Sequence, residues 1–329
     1  MKVAINGFGR IGTLALRCGV KEKGIDWVVN CPSGMESAFR SFKYDSVHGQ
    51  YKEEVKIEGD NLVVDGKKVK VIAMRAKPEE LPWKNLGVDV VIESTGLFRT
   101  TEEAGGHLKA GAKKVVISAP GKGEMQSYVL GVNTSDMSKS DAVIDNASCT
   151  TNCLMPVLKV LHEKFKIKRG FMTTIHGYTG DQNLVDGSHK DPRRARAAAI
   201  NIIPTSTGAT KAAGKVITDL KGILDGKAIR VPVVTGSLVD ITVELVKSTS
   251  VEEINNAMKS ASEKELKGIL EYSEEPLVST DIIGNHHSSI FDSELTKVVG
   301  GNLVQVVAWY DNEMGYSQRI VDLVKKLKI

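Results

Sequence analysis

The rhythm of apolar and polar positions changes once along the chain. Up to about residue 147, short apolar runs alternate with helix-length amphipathic segments. "KVAI" (2–5), "WVVN" (27–30), "VDVVIES" (88–94) and "KKVVISAP" (113–120) predict buried strands. "GFGRIGTLALRCGV" reads as a loop running into a helix, and residues 101–110 as another helix. In "NLVVDGKKVKVI" the pair Asp65-Gly66 separates two apolar runs and signals a hairpin. Strands alternating with helices predict a parallel sheet. Beyond residue 147 a helix is expected from "SCTTNCLMPVLKVLHEKF", with Leu154, Val157, Leu158 and Leu161 on its apolar stripe. Long alternating strands follow in "GFMTTIHGY", "AIRVPVV" and "SLVDITVELV", the pattern of an antiparallel sheet. "MGYSQRIVDLVKKLKI" predicts an amphipathic helix at the C-terminus, and residues 179–207 a long loop of the length that tends to be functional.

A chain of 329 residues supplies two domains or one large one. With 41% hydrophobic and 26% charged residues and no apolar run of membrane-spanning length, a globular protein without a membrane span is expected. "MKVAINGFGRIG" enters a strand and a glycine loop directly, without the apolar stretch of a signal peptide, so an intracellular protein is expected. The four cysteines then read as thiols in a reducing compartment. A net charge of +4 suits anionic small molecules. Only 5% of residues are aromatic and none interleave with basic ones, so nucleic acid is not an expected partner.

Gly7-Phe8-Gly9-Arg10-Ile11-Gly12 has the spacing G-x-G-x-x-G, between a strand and a helix, which points to a dinucleotide. Gly7 allows the tight turn, Gly9 the approach of a pyrophosphate, and Gly12 close helix–strand packing. The acid that grips the adenosine ribose belongs about 20 residues on. Cys31 and Pro32 stand there. A carboxylate at that place accepts bonds from the ribose 2′-hydroxyl and repels a 2′-phosphate, so its absence predicts NADP use, or dual use with NAD. The competing possibility is that another group holds the ribose and NAD is still preferred.

"NASCTTNC" (146–153) puts Cys149 in the first turn of a helix, behind the cap-type residues Asn146 and Ser148. A helix start stabilises a thiolate, and a nearby imidazolium lowers its pKa further. His176, at the end of an apolar run, is the candidate partner. Other possibilities stay open at this point. Cys149 fits an inert core cysteine, His176 a satisfied core histidine, and Cys149 with Cys153 the first half of a zinc site that lacks two further ligands. His48, His162, His189, His286 and His287 read as core or surface residues. A thiolate beside a nicotinamide suggests aldehyde oxidation through a thioester, which needs a second nucleophile. The basic segment 190–208, with Arg193, Arg194 and Arg196 and the hydroxyls of Thr205, Ser206 and Thr207, could bind an anionic one, and Arg230 lies before another strand. Equally, these arginines could form a solvated face.

"INGFGRIG", "KYDSVHG", "ESTG", "NASCTTNC", "HGYTGDQ", "RRARAAA", "PTSTGA" and "WYDNEMGYS" occur in the order found in phosphorylating glyceraldehyde-3-phosphate dehydrogenases, which the chain resembles over nearly its whole length. The resemblance implies an α/β Rossmann domain over residues 1–147 and 312–329, and an α+β catalytic domain with a mostly antiparallel sheet over 148–311. It implies Cys149 as nucleophile and His176 as its activator and base. Thr179 and Arg230 match the substrate-phosphate residues. Ser148, Thr207, Gly208 and Arg194 match those for the attacking inorganic phosphate, and Thr150 joins this set. Asn312 matches the residue holding the nicotinamide carboxamide, with Tyr316 and Ile11 nearby. Thr95, Gly96 and Ser118 match strand ends facing the cofactor, and Arg75 is assigned there too. No metal is expected. A cytoplasmic homotetramer is implied, in which residues 179–200 reach a neighbour's cofactor. NAD-preferring relatives carry Asp at the place of Cys31 and Leu-Pro at Gly187-Ser188. Cys31, Pro32, Ser33 and Ser188 therefore all lean toward NADP. The stretch "VTGSLVD" (234–240) departs from the commoner "PNVSVVD" without an evident consequence in sequence. Erythrose-4-phosphate dehydrogenase, hydrolysing the thioester, and a non-catalytic RNA or regulatory role are the alternatives.

Overall fold

The apolar runs of the first 147 residues all become strands because each can be buried on both faces of one sheet. A computed structural model describes all 329 residues. The chain divides into two compact units, one of residues 1–128, 134–148 and 316–329, the other of 129–133 and 149–315.

In the first unit the strands are β1 (Lys2–Asn6), β2 (Asp26–Asn30), β3 (Val55–Glu58), β4 (Asn61–Val64), β5 (Lys67–Ile72), β6 (Val90–Glu93), β7 (Lys114–Ile117), β8 (Gln126–Ser127) and β9 (Val143–Asp145). The helices α1 (Arg10–Gly19), α2 (Met35–Lys43), α3 (Trp83–Leu86) and α4 (Thr101–Lys109) lie between them. Sheet order is β3-β4-β5-β2-β1-β6-β7-β9-β8. From β5 to β8 all neighbours are parallel, and β3-β4-β5 form an antiparallel edge. The hairpin turns at Asp65 and Gly66, both at positive φ, the backbone that tight hairpins need. Successive strands run outward from β1 in opposite directions, toward β2 and toward β6. This reversal is where doubly wound sheets bind ligands.

One buried carboxylate ties the strand ends there. Glu93 ends β6 and is 1% exposed. Trp83 Nε1 donates to His107 Nδ1 at 2.8 Å, so the imidazole proton sits on Nε2 and is donated to Glu93 at 2.9 Å. Asn6 Nδ2 and the Thr95 N–H donate to the same carboxylate at 2.7 and 2.9 Å. Asn30 Nδ2 in turn donates to Asn6 Oδ1 at 2.9 Å, and Asn30 Oδ1 accepts the Met74 N–H at 3.0 Å. The ends of β1, β2, β5 and β6 thus share one network. Glu93→Gln would turn a donor toward donors inside it. A stability loss of about 2–4 kcal/mol is expected, read as a lowered urea midpoint. A midpoint equal to the parent's would contradict the network.

The second unit carries α5 (Cys149–Phe165), β10 (Ile167–Gly177), β11 (Ile203–Thr205), α6 (Ala209–Val216), β12 (Leu224–Val231), β13 (Ser237–Leu245), α7 (Val251–Glu263), β14 (Leu270–Ser273), β15 (Ser289–Val299) and β16 (Leu303–Tyr310). The last helix, α8 (Met314–Lys326), starts here and continues into the first unit's segment. Sheet order is β11-β12-β10-β13-β16-β15-β14. Four of the six neighbouring pairs are antiparallel, while β12 and β14 run parallel to β10 and β15. The sheet is mixed and mostly antiparallel. No helix is long and apolar enough to cross a membrane.

Candidate active site

The glycine loop has the shape its spacing predicts. Gly7 sits at φ +94°, and a Cβ there would meet the Thr95 backbone at 2.8 Å. A Cβ on Gly12 would strike Gly7 O at 2.2 Å, so helix and strand touch only because neither has a side chain. At Gly9 a Cβ would meet nothing within 4 Å. Gly9 precedes α1 without a side-chain cap, and the first intrahelical bond is Thr13 N–H to Gly9 O at 2.9 Å. The first turn of a helix leaves N–H groups without intrahelical partners, and beside an open Gly9 this is a fit for a pyrophosphate. Phe8 is buried and Ile11 half-buried. The Arg10 guanidinium is paired with Asp45.

Around this loop lie Thr95, Gly96 and Ser118, just past the ends of β6 and β7, with the Ser118 N–H on Glu93 O at 2.9 Å. Past β2, Cys31 is 5% exposed and its N–H donates to Ile72 O, while Pro32 and Ser33 are exposed. Glu36 is held by Arg40 at 2.8 Å. Arg75 follows Met74, the residue bonded to Asn30, and is exposed without an ion pair. Tyr316 is buried, its hydroxyl donating to Ala147 O at 3.0 Å.

In the second unit the chemistry collects at one end of the sheet. Parallel register sets His176 of β10 beside Arg230 of β12, and antiparallel register sets Ser237 beside Tyr310. Arg230 thus lies within a strand rather than before one. Ala147, at φ +51°, turns the chain just ahead of α5, and Cys149 opens that helix. Cys149 Sγ lies 3.5 Å from His176 Nε2. His176 Nδ1 and Gly177 O are 2.6 Å apart, and a carbonyl only accepts, so the proton is on Nδ1 and the Nε2 lone pair faces the sulfur. Arg230 Nη1 reaches the same carbonyl at 3.2 Å, so its 3.3 Å approach to Nδ1 sets two donors side by side.

Burial, and then the charge of Arg230, pulls the His176 pKa down to about 3. No imidazolium is favoured beside the sulfur. Burial also pushes the Cys149 thiol up, against the opposing charge of Arg230 and the Thr150 N–H. Both shifts favour the uncharged forms, which sets a thiol nucleophile beside a base.

Thr179 and Arg230 come together, Nη1 to Oγ1 at 3.0 Å, and the buried Arg230 Nε has no partner within the chain, as suits a guanidinium that receives an anion. Arg194 is engaged by Asp181 at 2.5 Å and by Thr205 at 3.0 Å. Asp181 also takes the Thr179 hydroxyl. Despite burial, that bond and the charges of Arg230 and Arg194 hold Asp181 below the usual carboxylate range. Thr207 accepts the Ala209 N–H at 3.2 Å, and Gly208 precedes α6. Ser148 is half-buried beside Cys149, and Ser188 is exposed in the long loop. Thr150 is 5% exposed and its hydroxyl meets Tyr310 at 2.9 Å, while its N–H and its side chain both favour the Cys149 thiolate. Asn312 is buried, held through its side-chain oxygen.

Two residues escaped sequence reasoning. Tyr310 lies edge-on to His176 with ring centres 5.8 Å apart, its hydroxyl shared between Thr150 and Thr174. Burial keeps it protonated, far above the usual phenol range. Asp181 links Thr179 to Arg194. Both stand inside motifs already recognised, "WYDNEMGYS" and "HGYTGDQ", which was the available signal.

Comparison with known proteins follows the same division. Residues 1–101 match the glyceraldehyde 3-phosphate dehydrogenase NAD binding domain, and residues 148–312 the C-terminal domain of the same family. A chloroplastic glyceraldehyde-3-phosphate dehydrogenase of Arabidopsis thaliana is 54% identical over 327 residues, covering 98% of this chain and 82% of the plant protein. The Mycobacterium avium enzyme is 56% identical over 331 residues and the Geobacillus stearothermophilus enzyme 55% over 325, each covering 98% of this chain and 97% of the relative. The chain belongs to the glyceraldehyde-3-phosphate dehydrogenase family, and is an oxidoreductase that uses a nicotinamide dinucleotide and phosphorylates its aldehyde substrate.

Proposed function

We propose that the enzyme converts D-glyceraldehyde 3-phosphate and inorganic phosphate to 1,3-bisphosphoglycerate through a thiohemiacetal and then a thioester on Cys149. The observation that carries this is the Nε2 lone pair of His176 facing Cys149 Sγ at 3.5 Å. His176 takes the thiol proton as sulfur bonds to the aldehyde carbon, and returns it to the carbonyl oxygen. When bound, the nicotinamide ring supplies the acceptor for the hydride that leaves that carbon. His176 then removes the hydroxyl proton, so that the C–O double bond re-forms as the thioester. A phosphate oxygen attacks the thioester and the thiolate leaves. Thr179 and Arg230 hold the substrate phosphate. Ser148, Thr207, Gly208 and Arg194 hold the attacking phosphate, which must displace Asp181 from Arg194. Thr150 serves through its N–H and its side chain. Asn312 orients the nicotinamide carboxamide, with Ile11 and Tyr316 beside it. On this assignment residues 1–147 and 312–329 bind the dinucleotide, and 148–311 carry the chemistry.

NADP is the favoured cofactor, alongside NAD. At the end of β2 stands a buried thiol where a repelling acid would lie, Glu36 is tied to Arg40, and Arg75 offers an uncommitted charge beside Asn30 and Cys31. A cytoplasmic homotetramer is part of the proposal. The exposed Leu184, Val185, Ile200 and Ile202 of the long loop support assembly, and Ser188 would then face a neighbour's cofactor.

Rapid mixing without phosphate should give a burst of reduced cofactor of one per site, followed by turnover that requires phosphate. Absence of a burst would overturn the thioester. In the steady state kcat/KM should be higher with NADP than with NAD. Cys31→Asp should move that ratio toward NAD by about 10- to 100-fold. An unchanged ratio would refute the role of this position.

A further inference from the structure

The side-chain oxygen of Asn312 collects three donors. The Ser237 hydroxyl donates to Oδ1 at 2.8 Å and the Gly236 N–H at 3.1 Å, while the Thr235 hydroxyl at 3.3 Å shares its proton with Asp311 Oδ1 at 3.4 Å. Asn312, Ser237 and Thr235 are all buried. A hydroxyl can turn to accept, but the Gly236 N–H can only donate, so the amide oxygen and not its nitrogen lies on this side. The Ser237 proton has one direction left, because its oxygen already accepts the Gly177 N–H at 3.1 Å. Gly177 is also the residue whose carbonyl takes the Nδ1 proton of His176. One hydroxyl therefore joins the strand that carries the base to the amide of Asn312.

Gly236 makes this possible. It sits at φ +93°, and a Cβ there would meet Ser279 O at 2.6 Å. Thr235 and Gly236 belong to the stretch that departs from the commoner family sequence, whereas Ser237 is common to both.

We propose that Thr235, Gly236 and Ser237 are positioning residues that fix the orientation of the Asn312 amide, so that Nδ2 presents its hydrogens to the carboxamide oxygen of the nicotinamide ring. The inference rests on the assignment of Asn312 to that carboxamide. An amide free to turn would offer the ring an acceptor as readily as a donor, and the ring would lose its preferred face.

The test compares dissociation constants, by calorimetry on the purified full-length protein, for NADP and NAD against 2′-phospho-ADP-ribose and ADP-ribose, which lack the nicotinamide. Ser237→Ala with Thr235→Val should weaken the dinucleotides about 5- to 20-fold while leaving the nicotinamide-free probes near the parent value. Ser237→Thr, which keeps the hydroxyl, should restore most of the loss and guards against a misfolded double variant. Deuteride transfer to C4 of the ring, read by NMR, should lose facial selectivity in the double variant alone. Asn312→Ala separates the two levels of the argument. If it weakens dinucleotides selectively but the double variant does not, the positioning role is overturned and the Asn312 assignment stands. If Asn312→Ala leaves the selectivity unchanged, the assignment falls and the inference with it. Equal weakening of all four probes in the double variant would also overturn it, as general loosening.

Discussion

Replacing Cys149 by alanine is expected to lower kcat/KM by about four orders of magnitude or more, because no other group can form the covalent bond to the aldehyde. Cys149→Ser should fall nearly as far. A hydroxyl is far less acidic than a thiol, and a neutral imidazole at 3.5 Å cannot make up the difference. On the proposed assignment cofactor affinity should change little in either variant, since Cys149 is not among the residues that hold the dinucleotide. The decisive measurement is the phosphate-free burst. It should vanish in both variants, and a surviving burst would show that the sulfur is not the site of acylation.

His176→Asn should lower the rate of the burst by about 10²- to 10⁴-fold, the range for losing a general base. The parent thiol needs its base because burial pushes its pKa up. In the variant, rate should therefore climb with pH as the thiol ionises unaided. A second readout concerns stability. The unfolded imidazole binds a proton near 6.5, whereas the folded one, buried next to Arg230, does so only near 3. Between these values the unfolded chain holds the extra proton. Acid therefore destabilises the fold across this window, and raising the pH above 6.5 restores the full contribution. Removing His176 should flatten this acid limb by up to ~1.4 kcal/mol per pH unit. Superimposable stability profiles of parent and variant would contradict a buried neutral imidazole.

The glycine loop could be read in advance because its geometry is local. Gly7 and Gly12 are demanded by backbone turns and contacts within a few residues or one strand away, and their spacing encodes that demand. The helix opened by Cys149 was equally legible, since apolar periodicity and cap-type residues are properties of neighbours in sequence. The missing acid at Cys31 was visible for the same reason, once the strand had been located.

What stayed hidden depends on strand register and burial, which no local pattern carries. Residues 176 and 230 are 54 positions apart, yet parallel pairing makes them neighbours and puts a positive charge beside the base. Helix phase sets the Thr150 hydroxyl against Tyr310, a pairing of residues 160 positions apart. Arg194 read as a charge for an anion, but Asp181 pairs with it in the fold. Burial pushes the Cys149 thiol up and the His176 imidazole down, against the thiolate that a helix start suggested, and burial is set by tertiary packing. Residue types and their spacing thus settle which chemistry the chain carries, since they act through the backbone nearby. Which proton sits where, and which charge is free to meet a substrate, follow from folding, because burial and pairing between distant strands exist only once the chain has closed around them.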